Sequence, residues 1–280
     1  MKFEYILFCF SIIFSFNSSS LGKDEDRLFY DAVRAEASGD LDQAITFYLQ
    51  ASKLSHSSNL HGNLANLYFK KEQFGHSILH FRKALLLQPN NKQLSANLNF
   101  AHEMAKTPPI SKNLASSYFS GNTLSFWCVF CVLIFWTGLL LLIYLFFFRA
   151  NKIPLLYCTL GWFLVGGVVG YATRLSFIAN SELSREVVAF LPSEENNQSK
   201  TIALRRFAGE KNSANTTLLP GQSLIIDLGK DGMNKTHRSP EGKNWYLARS
   251  KDGKKKGWIL EDEFVWLIDP KSNSQFHSPL

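Results

Sequence analysis

The polar parts of this chain contain no cysteine. The sequence has four cysteines, and each lies in a strongly apolar run: Cys9, Cys128, Cys131 and Cys158. Disulfides and Cys-ligated zinc therefore cannot hold the polar regions together, so these regions must fold through their own hydrophobic packing. Cys128 and Cys131 have the spacing of a redox motif, but in an uncharged run we interpret them as small apolar residues of a helix.

The sequence also lacks the patterns that are typical of nucleic-acid binding and catalysis. The formal net charge is +7, from 30 basic and 23 acidic residues, but no segment concentrates the basic ones. A concentrated basic face is what a nucleic-acid partner would require, so none is expected. Glycine-rich phosphate loops, nucleophile elbows and zinc signatures are missing as well. We therefore expect a protein that is not an enzyme and that needs no cofactor.

Phenylalanine, by contrast, is abundant and unevenly placed. Of 24 phenylalanines, 12 lie in three apolar runs, at residues 1–20, 124–148 and 153–172. The near-neutral mean hydropathy of the whole chain hides this alternation of apolar and polar segments. The pattern excludes a single soluble domain and predicts a multi-domain membrane protein.

Residues 1–20 have the features of a secretory signal peptide. Lys2 supplies a positive start, residues 6–16 form an apolar core, and the serines at 18–20 are small enough for cleavage. An uncleaved anchor is the alternative, although the run is short for a bilayer span. Either version exports the segment that follows.

The two later runs predict a transmembrane hairpin. Residues 124–148 and 153–172 are free of charge and long enough to span a lipid bilayer. The loop at 149–152 contains Arg149 and Lys152, which places it on the cytoplasmic side. Both polar regions are then expected outside the cytoplasm, on one face of the membrane.

The first polar region repeats itself at an offset of 33 residues, because residues 39–51 match residues 72–84. This pattern resembles the tetratricopeptide repeat, a helix–turn–helix unit of 34 residues. The second copy matches the family at Leu64, Ala65, Tyr68, Phe74, Ser77, Phe81, Ala84 and Pro89. The first copy is looser, and residues 92–105 resemble a capping helix. We predict helical repeat hairpins over residues 25–106.

The resemblance implies a concave binding groove lined by the first helix of each pair. The family's groove positions fall on Phe29, Val33, Asn66, Phe69, Lys70 and Phe100. Some relatives clamp carboxylates there, but Phe29 replaces the first clamp lysine, so we expect an apolar groove for a peptide or helix. Since His76 and His80 are one turn apart, they could form a metal face. We interpret them instead as part of a solvated helix face, and no metal site is expected.

The C-terminal region predicts a small all-β barrel. Linkers at 107–123 and 173–185 flank the hairpin, and short strand-like runs separated by turn residues fill 186–270. The run at 244–259, with Trp-Tyr, Asp-Gly and Gly-Trp in order, resembles the bacterial SH3-like domain. The candidate ligand surface is formed by Trp245, Tyr246 and Trp258. For the two tryptophans we favour packing in the barrel with partial burial, since tryptophan is highly buried on average, and an exposed ligand platform is the alternative.

In this order, the predicted segments resemble the BatE-type proteins of the bacterial aerotolerance (Bat) operon. The resemblance implies a multi-pass protein of the bacterial inner membrane with two transmembrane helices and periplasmic terminal domains. It also implies partners among von Willebrand A-domain proteins and a MoxR-type ATPase system. The expected function is that of a non-catalytic adaptor that binds proteins through the repeat groove. The alternative is a cell-wall sensor that binds peptidoglycan through the SH3-like barrel.

Overall fold

The computed structural model describes residues 19–55, 57–109, 123–147, 152–190, 201–210 and 212–269. The predicted signal peptide up to residue 18 lies outside the described residues. Most of the predicted linker at 107–123 and residues 149–151 of the predicted cytoplasmic loop lie outside them as well.

The N-terminal region consists of helices joined by short turns. They are α1 Ser19–Ala37, α2 Leu41–Leu54, α3 Ser58–Lys70, α4 Phe74–Leu87 and α5 Lys92–Met104. The side chain of Asp40 caps α2 by accepting a hydrogen bond from the Gln43 amide at 3.0 Å, as expected for an N-cap aspartate. The two repeat turns correspond: Gly39 has φ +84° and Glu72, 33 residues later, has φ +61°. The first copy thus uses a glycine for this left-handed position, and the second copy holds a glutamate in the same conformation.

Small residues allow the repeat helices to approach each other closely. Ala32 of α1 is fully buried in one cluster with three residues of α2, Ala44, Tyr48 and Ala51. Large apolar side chains fill the space between the copies, among them the buried Phe81. This interdigitation of small and large groups is how stacked helical hairpins reach the packing density of a protein interior. The predicted helical repeats are confirmed.

Two helices are long and apolar enough to cross a bilayer, α6 Leu124–Phe147 and α7 Lys152–Leu183. They pack closely where Gly138 faces Trp162, since a Cβ on this glycine would lie 2.0 Å from the indole ring. The indole N–H of Trp162 donates to the carbonyl of Ile134 at 3.0 Å. At 1.5 Å per residue α7 is about 48 Å long, more than the ~30 Å of a bilayer core. Helix α7 thus extends beyond a bilayer core, and it includes most of the segment predicted as a linker at 173–185, which is helical up to Leu183.

The C-terminal region is an antiparallel sheet. Its strands are β1 Glu186–Ala189, β2 Ile202–Arg205, β3 Ala214–Leu218, β4 Ser223–Ile226, β5 Thr236–Arg238, β6 Asn244–Ser250, β7 Lys256–Leu260 and β8 Phe264–Trp266. They follow the order β3-β2-β7-β6-β4-β1-β8, with β5 paired to β6 beside this path. The sheet is not closed: β3 and β8 end the main strand path, and β5 pairs with β6 alone beside it. β3 and β5 are polar and short, and the sequence pattern did not predict them.

Helix α4 packs directly on the sheet. Leu79 of α4 forms a buried cluster with Val188 of β1 and Leu267. The turn before β4 approaches so closely that a Cβ on Gly221, which has φ +89°, would lie 2.5 Å from Ile78. Strand β1 is consequently buried on both faces, against the sheet core and against α4. Two repeats and a cap are few for a free-standing array, and here the sheet supplies a further packing surface.

A buried ion pair crosses the same interface. The guanidinium of Arg82 on α4 lies 2.6 Å from the carboxylate of Glu186 on β1, and the two side chains are only 8% and 2% exposed. Arg82 also donates to the hydroxyl of Ser223 at 2.5 Å. Lys251 approaches the same carboxylate at 2.9 Å from the solvent side. The repeats and the sheet are thus joined by apolar packing and by one dehydrated charge pair.

Candidate protein-binding groove

The first helices of the hairpins, α1, α3 and α5, share a face that the sheet leaves accessible. The sheet packs on α4, a second helix, and so covers the opposite side of the second repeat. On the accessible side Val33 of α1 is 42% exposed and Phe100 of α5 is 52% exposed. Asn66 of α3 is also exposed. A single exposed apolar side chain is ordinary on a protein surface, whereas a contiguous exposed apolar patch marks a binding surface.

An aromatic patch spans the boundary between α3 and α5. The rings of Phe69 and Phe100 are 5.3 Å apart, and Phe69 also contacts the ring of Phe74 at 5.4 Å. Phe69 is half-buried and anchored in the repeat core, whereas Phe100 projects into solvent. The patch therefore combines a fixed base with an accessible rim, which suits an apolar side chain of a partner.

A charge pair lies beside this patch. The ammonium of Lys70 on α3 is 2.7 Å from the carboxylate of Glu36 on α1. The pair joins α1 to α3. The Glu36 carboxylate neutralises Lys70, which is the one cationic residue predicted for the groove. The groove is apolar in its centre and does not offer a free cluster of cations for a carboxylate.

Phe29 differs from the other predicted groove residues. It is half-buried and packs edge-to-face on Tyr48 of α2, with the ring centres 5.5 Å apart. It therefore contributes mainly to the packing between α1 and α2. Its neighbour Tyr30 is 67% exposed and was not predicted, because the spacing of the repeat alone does not separate two adjacent aromatic residues.

The predicted ligand surface of the sheet needs a correction at Trp245. This side chain is fully buried, and the guanidinium of Arg205 lies 4.9 Å above its ring. Arg205 is held there by Glu263 at 3.2 Å, so the tryptophan is covered and cannot form a surface platform. Tyr246 and Trp258 stay partly exposed. They lie on neighbouring strands, β6 and β7.

The prediction of a solvated face at His76 and His80 is wrong. His80 is buried, and its Nδ1 lies 3.2 Å from Nδ1 of His61 on α3. Tyr68 stacks on both His76 and His80, with ring centres at 4.9 and 5.4 Å. The pKa of His80 is well below its usual range because of burial, with Lys83, His61 and His76 adding positive charge nearby. The face is a packed one because the sheet and α3 both cover α4.

Another buried histidine, which the sequence pattern missed, lies in the last turn of α5. Nδ1 of His102 lies 2.7 Å from the hydroxyl of Thr107, and the residue is only 2% exposed. Burial, and then the nearby Arg82, lowers the pKa of His102 to about 4. The imidazole is therefore neutral in the folded protein at neutral pH.

The side chains on the accessible face of the repeats are of kinds that can recognise a partner. Among the described residues, no group of three or more histidine, cysteine, aspartate or glutamate side chains could hold a metal ion. The histidines of the repeat region form ring stacks and hydrogen bonds inside the fold. The accessible chemistry of the repeat face is aromatic and aliphatic, with one neutralised ion pair.

Comparison with protein families agrees with this geometry. The tetratricopeptide repeat model matches residues 58–91, which contain α3, α4 and the turn after α4. The second copy is thereby shown to resemble this repeat, whose members are typically non-catalytic scaffolds for protein interaction. No curated protein matches the chain.

Proposed function

We propose that this chain is a non-catalytic, membrane-anchored adaptor that binds a protein partner through the accessible face of its repeats. The observation that carries the proposal is the exposed Phe69–Phe100 patch, with ring centres 5.3 Å apart. The sheet covers α4 and leaves this patch open, so the patch has no partner from the sheet. The helices α6 and α7 would hold the repeats at the membrane surface.

The groove chemistry defines the class of partner. An aromatic patch with Val33 beside it, and with Lys70 already paired to Glu36, favours an apolar segment over an acidic tail. Repeat grooves and helix grooves bind amphipathic helices or extended peptides by their apolar anchors. The proposed ligand is therefore a peptide or helix of another protein that presents one or more large apolar side chains.

Truncation of the patch should abolish most of this binding. We expect Phe69→Ala or Phe100→Ala to weaken partner binding at least tenfold, since loss of an aromatic anchor costs about 2 kcal/mol or more. Lys70→Glu should also weaken binding, because it replaces the ion pair with Glu36 by two carboxylates that repel each other at the groove. The measurement is quantitative co-purification from native membranes that carry the full chain.

The matched control is Phe207→Ala, which removes a 62% exposed phenylalanine from the sheet side of the molecule. It should leave the recovered partners unchanged. If partners are recovered equally with Phe69→Ala, Phe100→Ala and Phe207→Ala, the groove is not the binding surface. The circular dichroism of each variant verifies that the repeats still fold.

The proposed topology places both polar regions outside the cytoplasm. Contact between α4 and β1 requires the repeats and the sheet to lie on one side of any membrane that α6 and α7 span. The N-terminal apolar run then favours the exported side, and Arg149 and Lys152 favour a cytoplasmic loop. In a bacterium this side would be the periplasm, with the chain in the inner membrane.

Reporter fusions test this topology. A reporter that is active only after export should be active when fused after Leu280 and inactive when fused within residues 149–152. A reporter active only in the cytoplasm should give the opposite pair of results. Cytoplasmic activity after Leu280 would overturn the topology.

A finer assignment of the sheet and of the complex rests on resemblance. We propose that this open sheet corresponds to the predicted SH3-like domain, because its short antiparallel strands carry the Trp-Tyr and Gly-Trp motifs in the family order. The glycine of the Gly-Trp motif, Gly257, lies so close to β2 that a Cβ there would be 2.9 Å from the Leu204 side chain. The fold therefore requires a glycine at this motif position. The proposed partners are von Willebrand A-domain proteins with a MoxR-type ATPase system, in a BatE-like envelope complex. Genes for both beside this one would support it.

The peptidoglycan-sensor alternative is the less favoured of the two functions. It relied on Trp245, Tyr246 and Trp258 as a ligand surface, and Trp245 is fully buried. Pelleting of the full chain with purified peptidoglycan in detergent would revive this alternative. The adaptor does not depend on the outcome.

A further inference from the structure

Among the described residues, one side of the edge strand β8 has no strand paired to it. It stands at the end of the strand order and pairs with β1 alone. Two hydrogen bonds flank the strand on the side of β1. Before it, the carbonyl of Glu263 accepts from the Phe190 amide at 3.0 Å. After it, the Leu267 amide donates to the carbonyl of Glu186 at 3.0 Å. Backbone groups alternate in direction along an antiparallel strand. The carbonyl of Phe264 and both backbone groups of Trp266 therefore point away from β1.

At the other end of the strand order, a lysine side chain bonds to the backbone of the edge strand β3. On β3, the ammonium of Lys255 donates to the backbone carbonyl of Thr217 at 2.8 Å. Lysines and short strands are common means of blocking an exposed edge. Within the part of the chain that the structure describes, no side chain bonds to the backbone of Phe264 or Trp266 in this way. β8 is therefore an edge at which another strand could pair.

An open cleft of about 380 Å³ runs beside β8. One wall is aromatic: Tyr246, Phe264 and Trp266 pack edge-to-face, with ring centres between 5.3 and 5.9 Å apart. Val265 lines the cleft from the opposite face of the strand, next to Lys83 of α4. A strand added here would thus find side-chain sites on both faces of β8.

Acidic groups stand at both ends of the cleft. Glu261 precedes β8 and Asp269 follows it, and both are exposed and line the cleft. Lys83 is the cation among the lining residues, and its pKa is lowered by burial, which Asp269 partly offsets. Glu261 also accepts a hydrogen bond from the Asn244 side chain at 2.7 Å. The negative charges of Glu261 and Asp269 beside the aromatic wall complement basic side chains at the ends of an apolar segment.

We propose that the free edge of β8 is a docking site for an extended peptide of a partner protein. The peptide adds as a strand by bonding to the backbone of Phe264 and Trp266, and it seats an apolar side chain on the aromatic wall. Its basic side chains face Glu261 and Asp269. Strand addition of this kind takes affinity from main-chain hydrogen bonds and specificity from the flanking sites. The site is separate from the repeat groove and does not depend on it.

A synthetic peptide tests the proposal on the full chain in lipid nanodiscs. The probe is fluorescein-labelled Arg-Val-Phe-Val-Arg-amide, compared with two versions that are N-methylated at alternate residues. Because an added strand presents only alternate amides to its neighbour, one methylation pattern should weaken binding at least tenfold and the other should not. Hydrogen exchange of the Trp266 amide should slow at least tenfold on binding. Equal affinity for all three peptides, or unchanged exchange, would overturn the proposal.

Variants of the protein separate the backbone from the side chain. Trp266→Pro removes the outward amide, while Trp266→Leu removes only the ring, so the proline variant should bind the peptide more weakly than the leucine variant. Asp269→Asn should weaken binding about two- to fivefold. Phe69→Ala, in the repeat groove, should leave it unchanged. If peptide binds only after deletion of residues 270–280, this chain's own C-terminal segment occupies the edge and the proposal is wrong.

Discussion

Replacing Arg82 with methionine should lower the free energy of unfolding by about 3 kcal/mol, within the range for breaking a buried ion pair. Arg82 lies 2.6 Å from Glu186 at the interface between α4 and β1, and both side chains are almost fully buried. Methionine would leave the carboxylate with Lys251 alone, which reaches it from the solvent side. The loss should appear as an earlier unfolding transition and as faster proteolysis between the repeats and the sheet. Urea unfolding in detergent micelles, followed by tryptophan fluorescence, measures it.

Two further variants identify the cause of this loss. Lys251→Met removes the partner whose side chain is 42% exposed, so it should cost less than about 1 kcal/mol, as exposed ion pairs do. Combining Arg82→Met with Glu186→Leu removes both buried charges and should recover most of the stability, because the unpaired carboxylate is then gone. Equal effects of Arg82→Met and Lys251→Met would show that the buried pair does not hold the interface.

Acidification should destabilise the repeats well above the pH at which most carboxylates titrate. The pKa of His102 is lowered from 6.5 to about 4 by burial and by Arg82. The unfolded chain therefore binds the proton first, so stability is complete above about pH 6.5 and falls as the pH drops toward 4. The difference of about 2.5 pKa units corresponds to a loss on the order of 3 kcal/mol. His80, whose pKa is lowered in the same direction, should add to the loss.

Thermal unfolding between pH 7.5 and 4 measures this dependence. His102→Gln should flatten the slope between pH 6.5 and 4, whatever its effect on stability at pH 7.5. The matched control is His237→Gln, which replaces an exposed histidine of β5 and should leave the slope unchanged. A slope that is the same in all three proteins would mean that His102 does not cause the acid sensitivity.

The repeat fold was predictable because its signal is local. The 33-residue self-similarity and the alternation of alanines with large apolar residues follow from how neighbouring helices must pack. The two apolar helices were predictable for the same reason, since length and hydropathy decide whether a segment can cross a bilayer. Of the groove residues that the resemblance implies, Val33 and Phe100 are exposed, whereas Phe29 packs on Tyr48.

The sheet was less predictable because its signals are non-local. β3 and β5 are short and polar, and only their pairing with β2 and β6 makes them strands. Trp245 lies on a strand whose residues alternate in direction, and its burial depends on Arg205 and Glu263 from other parts of the chain. No property of residue 245 in the sequence distinguishes a covered tryptophan from an exposed one.

The sequence by itself determined the kind of elements: helical repeats, two apolar helices, and a region of short strands without cysteine or catalytic motifs. Only the tertiary structure decided how they meet. It placed α4 against β1, so that His80 became buried instead of solvated and Arg82 found Glu186. It also left β8 as a free edge. Helical periodicity is a property of neighbouring residues, whereas these contacts join residues more than 100 positions apart, such as Arg82 and Glu186, and are selected only by the packing of complete surfaces.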